Sequence, residues 1–91
     1  MARTLEVSDL RISKRTADKI LRRRGIHADE VRATIEDVGR LTFWWVEDDE
    51  QGRRAYVPIA IQDREAVAVL YPPEGELGTV WNLGSAYFLD E

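Results

Sequence analysis

The sequence predicts an α+β fold: two N-terminal helices packed on one face of a four-stranded antiparallel sheet, with a fifth short strand as a variant. Three observations predict it. Apolar residues recur at helical spacing up to Val38 and then switch to strand-like alternation. Glycines and charged clusters punctuate the second part at hairpin intervals. The 91 residues suffice for one hydrophobic core and are too few for two, so 1–91 is expected to fold as a single domain.

Leu10-Arg11-Ile12 reads as the optional short strand, with Leu5 and Val7 just before it. Ser13 is a good N-cap for a helix over 14–24, which Gly25 ends. Ala17, Ile20, Leu21 and Arg24 fall on one helical face, and Arg15, Lys19, Arg22 and Arg23 lie mostly opposite. The helix is therefore expected to bury the first set and present a cationic side outward. After the Ile26-His27-Ala28 connection, a second helix is expected over 29–38. Asp29 and Glu30 suit its positive dipole end, Val31, Ile35 and Val38 form its apolar stripe, and Gly39 stops it.

Residues 41–46 form a dense apolar run that reads as the first long strand. Adjacent strand residues face opposite sides, so at least one of Trp44 and Trp45 must leave the helix-covered face. A charged turn over 47–52 leads to a strand over 53–61, with Ala55, Val57, Ile59 and Ile61 on one face. Pro58 cannot donate to a ladder and marks an edge or a bulge there. A turn over 62–65, a strand over 66–71, a loop over 72–78 and a last strand over 79–89 complete the chain. Gly84 is expected to kink or bulge that last strand.

Composition removes several classes of function. The absence of cysteine excludes a disulfide framework, a thiolate zinc site and a cysteine nucleophile. A single histidine argues against a dedicated transition-metal site, and the acidic turn lacks calcium-loop spacing. No phosphate-cradling glycine loop, serine nucleophile elbow or HExxH is present, and no cofactor is expected. No apolar run approaches the ~20 residues that cross a bilayer. The first residues lack the apolar core of a signal peptide, so a cytoplasmic protein without membrane association is expected.

The net charge of −4 conceals an asymmetry. Up to His27 there are eight basic and three acidic residues, a balance of +5. From Ala28 onward five basic residues face fourteen acidic ones, a balance of −9. Such a split fits an anionic partner for the first part, or attraction between the two parts within the fold or in a homo-oligomer.

Lys19, Arg22, Arg23 and Arg24 at the end of the first helix either complement its dipole or bind phosphates. His27 beside them is a candidate general acid or base, or else a structural turn residue. Arg53 and Arg54 open a strand, where they reach a phosphate or pair with Glu47, Asp48 or Asp49. Trp44, Trp45 and Trp81 stack on bases, or else fill the core or a partner interface.

The element order, two helices and then a meander, resembles the BrnT-like branch of the RelE/ParE superfamily of bacterial toxins. The resemblance rests on Arg23-Arg24-Gly25-Ile26 followed by Asp29-Glu30-Val31, on Gly52-Arg53-Arg54, and on Ser85-Ala86. It implies the toxin of a type II toxin–antitoxin pair, acting as a metal-independent endoribonuclease or translation inhibitor and neutralised by a small antitoxin protein. In such a mechanism the 2′-hydroxyl of RNA attacks phosphorus, and basic side chains steady the developing charge. Arg23, Arg24 and Arg53 match family positions, with His27 adjacent; these four are the catalytic candidates, and Lys19, Arg22, Arg23 and Arg54 the RNA-binding ones. The chain departs from the family in carrying Arg24 where a histidine stands and Tyr87-Phe88-Leu89-Asp90-Glu91 where basic residues stand. The alternative reading is a non-catalytic interaction module, a homo-oligomer or a heteromeric partner, with the same fold.

Overall fold

Local chemistry starts both helices. In the computed structural model, which describes residues 3–38, 40–50, 52–72 and 78–90, the Ser13 hydroxyl accepts from the Thr16 amide at 3.1 Å. That bond opens α1 (Lys14–Arg24), and Gly25 ends it in the left-handed region (φ 68°). The Gly25 amide donates to the Leu21 carbonyl at 3.0 Å, the left-handed helix stop that only glycine enters without strain. α2 (Ala28–Val38) is capped reciprocally: its Glu30 carboxylate accepts from the His27 amide at 2.9 Å, and the His27 carbonyl accepts from the Glu30 amide at 3.0 Å. The expected stop at Gly39 lies outside the described residues.

The sheet differs from expectation. It has six strands and is mixed, not four or five antiparallel ones. The strands are β1 (Arg3–Glu6), β2 (Asp9–Arg11), β3 (Arg40–Asp48), β4 (Gly52–Ile61), β5 (Arg64–Tyr71) and β6 (Val80–Phe88), in the order β1-β3-β4-β5-β6-β2. β1 joins β3 antiparallel at one edge, and β2 joins β6 in parallel at the other. At four and three residues, these strands are too short to show periodicity, and tertiary pairing alone creates them.

Only Val7 and Ser8 separate the two edge strands. A flat six-stranded sheet would hold its edges roughly 24 Å apart. Three residue steps reach about 10 Å. The sheet must therefore curl until its edges nearly meet. The Ser8 amide donates to the Thr79 carbonyl at 2.8 Å, and the Trp81 indole donates to the Glu6 carbonyl at 3.1 Å. β3 assists the curl by dividing its ladder, with residues 40–43 on β1 and 44–48 on β4. The β3–β4 ladder ends at Tyr56, so Pro58 sits where β4 pairs with β5 alone, a local edge that tolerates a residue without an N–H.

Helical side chains satisfy the edges that remain. Glu36 accepts from the Leu10 amide at 2.8 Å, and Arg32 donates to the Leu10 carbonyl at 3.2 Å, so α2 stands in for a strand beside β2. α1 packs against β6. Gly84 forms the expected bulge, with Ser85 opposite Val69 and Leu83 opposite Leu70. Lys19 donates to the Gly84 carbonyl at 2.8 Å.

The core lies between the helices and the inner sheet face. Ile20, Ile26, Val31 and Ile35 meet Val57, Ala68, Leu70 and Phe88 there. The helical stripes are narrower than expected: Leu21 is 44% and Val38 59% exposed, and Arg24 is exposed as well. Two helices of three turns present few residues to a curved sheet, and only Ile20 in α1 and Val31 and Ile35 in α2 are buried.

Candidate nucleic-acid interface

Strand alternation distributes the site residues. Arg53 and Arg54 are adjacent on β4 and therefore point to opposite faces. Arg53 shares the inner face with Trp45 and Ala55, at its rim. Its guanidinium lies 4.1 Å from the Trp45 ring centre and its Nε 3.6 Å from Glu47. Arg54 belongs to the outer face, 5.8 Å from the centre of the Tyr56 ring.

The middle of that outer face is buried too. Val67 and Val69 are 1% and 4% exposed, yet they face away from the core side chains Ala66, Ala68 and Leu70. In register, Tyr56 and Ser85 flank Val69, and Pro58 and Tyr87 flank Val67. Tyr56 and Tyr87 thus come onto one surface. Trp44, opposite Tyr56 in register, extends it with ring centres 5.9 Å apart, and remains 47% exposed. Trp44 is the tryptophan that leaves the helix-covered face. Trp45 and Trp81 pack in or against the core.

α1 brings a second cation to the same surface. The Arg24 guanidinium lies 6.0 Å from the Tyr87 ring centre. Burial pushes the Tyr87 phenol above its ordinary pKa, and Tyr56 adds to the rise, while Arg24 and Arg54 oppose it. Both arginines are therefore close enough to act on one phenol, although one ends a helix and the other opens a strand. The phenol is protonated at neutral pH and can donate a hydrogen bond.

Among the sequence candidates, the structure joins Arg24 with Arg54 and separates both from Arg53. Arg22 and Arg23 are exposed on α1, and the Arg22 Nε approaches the Asp18 carbonyl at 3.4 Å. Lys19 is turned to the Gly84 carbonyl, where it ties α1 to the bulge. The exposed His27 serves α2 through its backbone. Sequence reasoning missed Tyr56 and Tyr87. The signal was available in the alternation of β4, which sets Arg54 and Tyr56 together opposite Ala55 and Val57.

Among the described residues, no polar or charged side chain is buried and no group of three or more acidic or histidine side chains is placed to hold a metal ion. No described helix is long and apolar enough to cross a membrane. Comparison with family models, curated proteins and solved structures finds no match to this chain.

Proposed function

We propose that the chain is an RNA-directed protein of the toxin type, and that it holds the RNA backbone on the outer sheet face between Arg24 and Arg54. The observation that carries this reading is the convergence of these two guanidiniums on the Tyr56–Tyr87 surface. Phosphates are the common anion that two separated guanidiniums recognise. In a cleavage reaction the arginines would stabilise the charge developing on phosphorus. As the ribose 2′-hydroxyl attacks phosphorus and gives its proton to water, the P–O5′ bond would break, the protonated Tyr87 would donate its proton to the leaving 5′-oxygen and later regain one from water, and a 2′,3′-cyclic phosphate would remain. Arg53 has no part in this scheme, because it lies on the other face.

The test is induced expression in a bacterial host, following growth and bulk RNA integrity together. Growth arrest with RNA fragmentation is expected, and Arg24→Ala with Arg54→Ala should restore growth. Two phosphate contacts give a slope of log affinity against log salt of about −1.4 on single-stranded RNA. High expression with normal growth, intact RNA and no RNA retention in vitro would remove the reading.

The second reading is a non-catalytic interaction module. The exposed Leu21, Val38, Trp44 and Leu89 favour it, since large apolar side chains at a surface often mark protein contacts. Monomeric protein with no co-purifying partner would count against it.

A further inference from the structure

We infer that Trp44 is a stacking platform for a nucleobase of single-stranded RNA, so that the outer face selects unpaired, base-bearing strands over a bare phosphate chain. The inference rests on the RNA reading above and adds what that reading leaves open, namely how the ligand is told from any other polyanion.

Three observations carry it. First, Trp44 is the only one of the three tryptophans that the core does not use, and it is 47% exposed. Second, it is held in place. Tyr56 lies opposite it in register, with the ring planes tilted by 44° and the centres 5.9 Å apart. Third, the cation stands at the right remove. Arg54 and Tyr56 are two residues apart on β4, about 7 Å along the strand, and Trp44 lies one strand over, about 5 Å away. A phosphate at Arg54 therefore leaves its own nucleotide's base within reach of the indole.

The chemistry of the face also argues against a protein occupant at this spot. Its apolar floor, Val67 and Val69, is already shielded. Among the described residues, the exposed Trp44 ring stands near the Arg54 guanidinium, the combination that single-stranded nucleic acid uses: stacking for the bases and a cation for the backbone. A duplex offers no unstacked base to the indole.

The experiment measures anisotropy with three fluorescently labelled ligands of equal length: oligouridylate, the same ribose-phosphate chain without bases, and an RNA duplex. Wild type is expected to bind oligouridylate at least tenfold more tightly than the abasic chain or the duplex. Trp44→Ala should weaken oligouridylate binding by about five- to a hundredfold and leave the abasic chain unaffected. Trp44→Tyr, which keeps an aromatic face, should retain most of the affinity and shows that a loss in the alanine variant is not misfolding. Arg54→Ala should weaken both single-stranded ligands alike. Equal binding of oligouridylate and the abasic chain, or unchanged binding by Trp44→Ala, overturns the role of Trp44 and leaves the RNA reading standing. No binding to any of the three ligands overturns both.

Discussion

The two faces of the sheet are built by different rules. The inner face is filled by volume: Leu70, Val57 and Phe88 lie under Ile20, Val31 and Ile35, all at most 3% exposed. On the outer face Val67 and Val69 are also buried, and among the described residues Tyr56 and Tyr87 flank them in register. The inner face uses aliphatic side chains that only need to fit. The outer face uses side chains with an apolar body and a polar tip, which cover the floor and still meet water. The difference teaches that a sheet can bury its central strand on both sides with two different kinds of side chain.

The largest effect should come from breaking the inner face. Leu70→Ala is expected to cost about 2–5 kcal/mol in urea unfolding, because the closed core cannot collapse onto the cavity. Trp44→Ala on the open face should cost about 1 kcal/mol or less, the scale of one cross-strand pair. Comparable losses would mean that the outer face is also a packed core.

Gly84→Ala comes next. A β-carbon there would collide with the Tyr71 ring on the outer face, so a loss of about 1–3 kcal/mol is expected. The same change should loosen the bulge whose carbonyl Lys19 holds. Hydrogen exchange on β6 residues 83–88 would reveal it.

Gln62→Ala should be milder, about 1 kcal/mol by thermal or urea unfolding. Gln62 and Asp63 both occupy the left-handed region (φ 55° and 59°), as the two-residue hairpin between β4 and β5 requires. The Gln62 side chain helps to hold this turn by donating to the Gly25 carbonyl at 3.2 Å and to Glu30 at 3.3 Å. Gln62→Gly removes the same bonds but relieves the backbone, and should lie closer to wild type.

The smallest effect sharpens the outer face alone. In an ultraviolet titration the Tyr87 phenol should ionise above the ordinary tyrosine range. Arg24→Ala or Arg54→Ala should raise it further, because each charge pulls it down. The sign follows from linkage: a raised folded pKa gives stability that is complete below the unfolded tyrosine value and is lost as pH rises through the folded one. Variants that leave the phenol unmoved would separate these arginines from the tyrosines.

The sequence carried the inner face well. Ser13, Gly25 and the alternation of Ala55, Val57 and Ile61 lie where local rules put them. Gly84 as a bulge and Pro58 at a local edge follow from backbone chemistry alone. β1 and β2 were not legible as the two sheet edges, because their partners lie 34 or more positions away and nothing in four or three residues encodes that distance. For the site, the family resemblance grouped Arg53 with Arg23 and Arg24, whereas strand parity sets Arg54 on the surface that Arg24 reaches. Tyr56 and Tyr87 carry no motif, and only the registers of three strands bring them together.

The strap of Val7 and Ser8 also orders events in time. On a ribosome, the two edge strands are made before the strands they join, and β2 has no partner until β6 has been made. Ser8 meets Thr79 across 71 positions, and Glu6 meets Trp81 across 75. Leu10 therefore lacks its β6 neighbour until the last strand is made, and the curl can close only as a late step. A nascent chain stalled before β6 would expose this segment to chaperones and proteases, and the finished chain would hide it.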